Sequence, residues 1–156
     1  MHLLVSKIES GTVIDHIPDW KAEVVTKVLR LDRQALMEAN SSVAILQNVV
    51  SKQLGRKDIV KIDHWHVGER DADMLSLVFP SVTINYIEDG VVTKYKPRVP
   101  DLIEGGLRCP ELSCISNGER EPVVSKFITL KSERLMRCHY CDTLVGFDSV
   151  PEHVRT

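Results

Sequence analysis

No cysteine occurs in the first 108 residues of this 156-residue chain. No apolar run approaches the length needed to cross a bilayer, so no membrane partner is expected. The opening residues, Met-His-Leu-Leu-Val-Ser-Lys, hold no basic segment leading into a secretory apolar core, and the expected compartment is the cytoplasm. Neither a Walker loop nor a Gly-x-Gly-x-x-Gly fingerprint is present, and there is no internal repeat or low-complexity tract. A surplus of positive charge is missing as well. The net charge is −2; residues 105–156 carry seven Lys/Arg against seven Asp/Glu, and the remainder thirteen against fifteen. Nucleic-acid-binding zinc modules usually carry a clear positive face, so this balance argues against a nucleic-acid partner. What remains, 43% hydrophobic and 27% charged residues, is ordinary for a soluble globular protein.

The four cysteines that do occur are Cys109, Cys114, Cys138 and Cys141, two close pairs separated by 23 residues. Two short-spaced pairs, each on its own turn, bring four soft ligands to one point with little chain strain, which is the geometry of a tetrahedral Zn²⁺ site. Four ordinary cysteines, or a redox pair at Cys138-x2-Cys141, are the competing readings. Reduced thiols on a metal suit the cytoplasm better than disulfides do. Four protein ligands leave no open position for water, so the zinc is expected to be structural. His139 lies between the last two cysteines, but four thiolates make it unnecessary as a ligand.

Along the chain, Leu3–Ile8 and Thr12–Ile17 read as strands flanking a turn at Glu9-Ser10-Gly11, and Pro18-Asp19 opens a helix. Trp20, Val24, Val28 and Leu31 repeat at helical spacing, and Gln34–Ala39 offers a further helical turn. Val43–Val50 and Lys57–Asp63 are strands, the second alternating Lys57, Ile59 and Lys61 against Asp58, Val60 and Ile62. A second helix opens at Gly68–Asp73, carries Leu75, Val78 and Phe79, and stops at Pro80. Ser81–Ile87 and Val91–Lys96 form a hairpin across Glu88-Asp89-Gly90. The expected class is α+β: a ferredoxin-like antiparallel sheet with two helices, followed by a small four-cysteine zinc-bound β domain. The boundaries are residues 1–99, a linker at 100–106 with a helical turn at Pro100–Glu104, and a domain at 107–156. About 50 residues make a marginal core, for which a metal is a common remedy. Val123–Leu130, Arg134–Arg137 and Leu144–Phe147 supply its strands.

In the first domain, Lys57, Lys61 and Lys94 stand on or near strands, with Asp15-His16 at the end of an early strand and Asn85 in another. A carboxylate accepts ribose hydroxyls and lysines pair with phosphates, so a nucleotide site is one reading; a solvated sheet edge with scattered charge is the other. Strict alternation puts Asp15 and His16 on opposite faces, so both serve one site only if the strand ends or twists there.

The motifs Gly11-Thr12-Val13-Ile14-Asp15-His16-Ile17, Gly55-Arg56-Lys57-Asp58-Ile59-Val60-Lys61-Ile62, Cys109-Pro110-x3-Cys114-Ile115 and Cys138-x-Tyr140-Cys141 occur in this order. The set resembles the regulatory chain of aspartate carbamoyltransferase over nearly the whole sequence. That resemblance implies a non-catalytic, allosteric subunit of pyrimidine biosynthesis, with ATP as activating and CTP as inhibiting effector. It also implies pairing with a second copy in a regulatory dimer, and one structural zinc in a domain that docks on the catalytic chain. Asp15 and Lys61 would then face ribose and base; His16, Lys57 and Lys94 would lie near the phosphates; Val5, Ile8, Val13, Asn85 and Ile87 would line the base side. Cys109, Cys114, Cys138 and Cys141 would hold the zinc. A zinc-ribbon nucleic-acid binder using Arg134, Arg137 and Arg155 is the alternative. An enzyme reading has little to stand on: the zinc has no open position, no cysteine remains as a nucleophile, and His64-x-His66 around Trp65 reads as a surface and packing mixture.

Overall fold

Period-two alternation organises the first sheet. In β3 (Gly55–Asp63), Asp58, Val60 and Ile62 are fully buried while Lys57, Ile59 and Lys61 remain partly accessible. The computed structural model describes residues 9–118 and 123–155, so the expected strand Leu3–Ile8, with Val5 and Ile8, lies outside the described residues. Around β3 stand β1 (Gly11–Pro18), β2 (Val43–Ser51), β4 (Thr83–Glu88) and β5 (Val91–Tyr95). They form an antiparallel sheet in the order β2-β3-β1-β4-β5. Helices α1 (Ala22–Val28) and α3 (Glu69–Val78) follow β1 and β3, with the short α2 (Arg33–Glu38) between α1 and β2. This is the ferredoxin-like arrangement with β5 added through a hairpin. The hairpin turns on Asp89 and Gly90, both at positive φ (48° and 79°), the pairing that a two-residue turn requires.

One sheet face packs on the helices. Ile14, Ile17, Val60, Ile62 and Ile84 meet Ala22, Val25, Val28, Ala72 and Leu75 in a shared buried cluster, each large side chain contributing about 1.5–3 kcal/mol by its removal from water. The first helix differs from the expected pattern. Trp20 takes φ 65° in the turn before α1 and is 61% exposed, so the buried stripe is Ala22, Val25 and Val28 rather than one starting at Trp20. The helical turn expected over Gln34–Ala39 is a separate helix, N-capped by Asp32, whose carboxylate accepts from the Gln34 amide at 3.0 Å.

Two β-bulges, both against β3, break the alternation. Asp15 and His16 together oppose Ile59, because Ile14 pairs with Val60 and Ile17 with Asp58. Gln47 and Asn48 likewise oppose Asp58. His16 and Asn48 take the left-handed conformation, φ 57° and 59°. Asp58 sits between these irregularities with no solvent exposure. Its carboxylate accepts from the Asn48 amide (2.9 Å), the Ala22 amide at the start of α1 (2.9 Å) and the Gln47 side chain (3.3 Å). Burial alone would raise this carboxyl, but these donors, with the Trp20 amide, outweigh it and hold the group below its usual range.

The second sheet has the order β6-β7-β8-β9: Leu102–Glu104, Lys126–Leu130, Leu135–Cys138 and Leu144–Gly146. Leu102–Glu104 pairs with β7, so the helical turn expected at Pro100–Glu104 is a strand. Its extended backbone recovers ladder hydrogen bonds that an isolated turn would forgo. Gly105 and Gly106 follow with φ 71° and 77°, and Leu107 forms a lone antiparallel bridge with Val154, just after the short α4 (Val150–His153). No helix among the described residues is long and apolar enough to cross a membrane.

Asp58→Asn should lower stability by about 2–4 kcal/mol, since it puts a donor among donors in a buried site. The folded-state pKa of Asp58 is lowered, so its contribution is present above about pH 4 and is lost as pH falls through the folded value. Denaturant melts of the two proteins should therefore differ most near neutrality and converge in acid; parallel curves down to low pH would contradict this role.

Candidate functional site

The sheet face away from the helices carries a cross-strand row. Lys61 on β3 lies directly opposite Val13 on β1, Val13 opposite Asn85 on β4, and Asn85 opposite Lys94 on β5. Directly opposed residues point to the same face, so this row follows from register alone. Ile87 is two residues beyond Asn85, and Asp15, opposite Thr83, begins the next row.

The bulge at Asp15-His16 decides whether both residues serve this face. Ile14 and Ile17 are both fully buried three positions apart, so the two intervening residues lie outside the helix-facing core. The Asp15 carboxylate takes the Lys57 ammonium at 2.9 Å and the His16 amide at 2.6 Å. The His16 ring reaches the Thr83 hydroxyl at 2.8 Å, on the residue opposite Asp15. The pair Asp15–Lys57 is largely sheltered. By contrast, no described residue offers Lys61 or Lys94 a carboxylate within ion-pair distance. The structure thus gathers Val13, Asp15, His16, Lys57, Lys61, Asn85, Ile87 and Lys94 around one open face, while Val5 and Ile8 lie outside the described residues. Chemically the face offers a carboxylate, two cations that pair with no carboxylate among the described residues, and an apolar floor.

Thr83 and Ser81, which donates to the His16 carbonyl at 2.7 Å, were not singled out from the sequence. Both lie in the strand expected at Ser81–Ile87, but nothing in their spacing announces a bulge more than sixty residues earlier. Asp58 left a trace: it shares the phase of Val60 and Ile62, an acid in step with a buried face.

Gly11 opens β1 between β3 and β4 with φ 152°, where a Cβ would stand 2.2 Å from the Ile62 carbonyl oxygen. Only glycine lets the three strands close up there.

In the second domain Cys109, Cys114, Cys138 and Cys141 bring their sulfurs within 4.8 Å of one another. Cys109–Cys141 and Cys114–Cys138 are 3.5 and 3.7 Å apart, close to the ~3.8 Å edge of a tetrahedron with metal–sulfur bonds of about 2.3 Å. Two tight turns present them. The Asp142 amide returns to the Cys138 carbonyl at 3.0 Å, and the Asn117 side chain ties the Cys109 and Glu111 carbonyls at 2.9 and 2.8 Å. Ser116 and Thr143 hydroxyls lie 3.1 Å from Cys114 and Cys141. Burial pushes the Cys109 and Cys138 thiols up, whereas the Thr143 hydroxyl brings Cys141 down to about 7. The donor set fits a soft divalent metal. His139 instead sits edge-on to Tyr140, with ring centres 5.1 Å apart.

The remaining sequence candidates are engaged within the chain. Arg134 pairs with Asp148 at 3.0 Å, Arg137 approaches Asp142 at 3.8 Å, and Arg155 donates to the Leu107 and Ser116 carbonyls. His64 leans on Asp63 and His66 stacks on Tyr86, so the two histidines do not converge.

Comparison with known proteins adds two family matches. Residues 3–98 match the aspartate carbamoyltransferase regulatory chain, allosteric domain, and residues 101–151 match the metal binding domain of the same chain. Similar relatives named aspartate carbamoyltransferase regulatory chain include that of Hyperthermus butylicus, 44% identical, covering 97% of this chain and 94% of the relative. That of Methanocaldococcus jannaschii is 46% identical, covering 92% and 93%. That of Pyrococcus abyssi is 45% identical, covering 90% of each.

Gly11→Ala should cost about 1–3 kcal/mol through the forced shift of the β3 backbone, read as a lower denaturant midpoint at unchanged slope. An unchanged midpoint would mean the strands can part at no cost.

Proposed function

The chain belongs to the family of aspartate carbamoyltransferase regulatory chains, and on that premise we propose that its open sheet face binds ATP and CTP in competition while its C-terminal domain, held by zinc, docks on the catalytic chain. The family's regulatory role makes this chain a non-catalytic partner of an enzyme. The observation that carries the effector reading is the cross-strand row Lys61, Val13, Asn85, Lys94 beside the Asp15-His16 bulge. A nucleotide laid along it would set ribose hydroxyls against Asp15, the base over Val13, Asn85 and Ile87, with Lys61 at the ribose and base. The phosphates would lie toward Lys94, His16 and Lys57. Val5 and Ile8 would complete the base side. Lys61 and Lys94, which have no carboxylate partner among the described residues, supply charge-assisted bonds to the phosphates and base.

Four convergent thiolates support structural zinc at Cys109, Cys114, Cys138 and Cys141. Zinc would offset half of the charge on four thiolates and fix the two turns, leaving surface residues to make the contact with the catalytic chain. The division into an effector domain at 1–99, a linker at 100–106 and a docking domain at 107–156 belongs to this reading. So do a cytoplasmic setting and pairing of two copies, for which the exposed Val43 and Ile45 on the sheet-edge strand β2 offer apolar surface. Each nucleotide alters activity only if it binds the assembly's two states with different affinity.

Calorimetric titration should give saturable binding of ATP and CTP, each displacing the other, with Asp15→Ala and Lys94→Ala weakened by about tenfold or more. Wild-type protein that binds neither nucleotide would sink the effector role. Separately, a mercurial that captures the thiolates should release one zinc per chain and dissociate the complex with the catalytic chain. Survival of the complex after zinc loss would overturn the docking role of this domain.

A further inference from the structure

Helix α3 is held at both ends by arginine, against strand β6 of the second sheet and against the turn before β8. In its first turn Arg70 donates to the Glu104 carbonyl of β6 at 2.9 Å. In its last turn the Leu77 carbonyl accepts from Arg134 at 3.2 Å. Such a carbonyl at a helix C-terminus lacks an intrahelical donor and carries the negative end of the helix dipole, so a guanidinium is its natural partner. Arg134 is fixed for this task. It occupies the left-handed region (φ 53°) at the entry to β8, its guanidinium lies 5.5 Å over the buried Phe147 ring, and the same nitrogen that reaches Leu77 meets the Asp148 carboxylate at 3.0 Å. The turn containing Phe147 and Asp148 packs on α3, and Leu75, Leu77, Phe147 and Val150 share one buried cluster.

The end of α3 is also tied to the open face. Four residues beyond Leu77, Ser81 donates to the His16 carbonyl at 2.7 Å, and Thr83 holds the His16 ring. The Asp15-His16 bulge is thus bonded to the segment that directly follows the last turn of α3, whose Leu77 carbonyl Arg134 holds. We propose that Arg134 is the positioning residue that passes the state of the open face into the metal-site domain, through Leu77 on one side and Phe147 and Asp148 on the other. The inference rests on the effector role proposed above. The Arg134–Asp148 pair itself is weakly stabilising, with side chains 44% and 81% exposed. Its use is directional: Asp148 orients the guanidinium toward a backbone carbonyl of the other domain.

The test uses the assembled complex with its catalytic chain, wild type against Arg134→Ala and Asp148→Asn, with ATP and CTP as probes. Two quantities are read: nucleotide affinity by calorimetry, and the ratio of catalytic activity with and without saturating nucleotide. Expected for Arg134→Ala is affinity within about twofold of wild type and a nucleotide response diminished at least about twofold, the scale of residues along a coupling route. Asp148→Asn, an exposed and conservative change, should fold normally and fall between the two. A wild-type response in Arg134→Ala would overturn the proposal. So would loss of affinity in step with loss of response, which marks a merely structural role. If Arg134→Ala does not fold, an undiminished response in Asp148→Asn overturns it on its own. A wild-type complex indifferent to both nucleotides fails differently, because it removes the effector reading before either variant is compared.

Discussion

The buried carboxylate of Asp58 fixes the geometry on which the rest of the first domain depends. It satisfies the first amide of α1, the Asn48 amide in the bulge of β2 and the Gln47 side chain, all from the central part of β3. A charge taken wholly out of water is tolerable only when several donors converge on it. Here convergence means that helix, edge strand and central strand must arrive together. Its neighbour Lys57 points the other way and holds Asp15. Two consecutive residues of opposite charge thus fasten the two faces of one strand, the first preparing a surface and the second a core.

That division explains why the open face can be polar without weakening the fold. The helix-side cluster of Ile14, Ile17, Val60, Ile62 and Ile84 supplies the apolar burial. The opposite row then carries lysines and asparagine at no cost to packing. The bulge at Asp15-His16 adds a residue to that face without displacing Ile17 from the core. A regular strand would have forced a choice between His16 and Ile17.

Strand identity and order of elements were legible because alternation and turn residues act locally: Lys57–Asp63 and the Asp89-Gly90 hairpin declare themselves within a few residues. The four-cysteine cluster was legible for a related reason, since spacing within each pair limits what the chain can do. The company of Asp15 and His16 was not, because a bulge depends on how β1 meets β3, some forty residues away, and leaves no mark on composition. Trp20 misled for another reason. Its apolar bulk fits a helical period, yet the carboxylate of Asp58 draws the helix start to Ala22 and leaves Trp20 in the turn. At Pro100–Glu104 local preference for a turn yielded to a free edge on β7, a partner invisible from the segment itself.

Gly105 and Gly106 lead from β6, already part of the second sheet, to Leu107 through consecutive left-handed residues. A pair of glycines is commonly equated with looseness, but here the flanking backbone is already spoken for: Gly105 donates to Ser125, and the Arg155 amide closes on the Gly106 carbonyl. The turn is consequently a fixed elbow, in a handedness that glycine adopts without steric cost, rather than a tether. Because the elbow sets β6 against Leu107 and its bridge to Val154, the metal-site domain closes its first strand onto its last residues at a point fixed by backbone handedness.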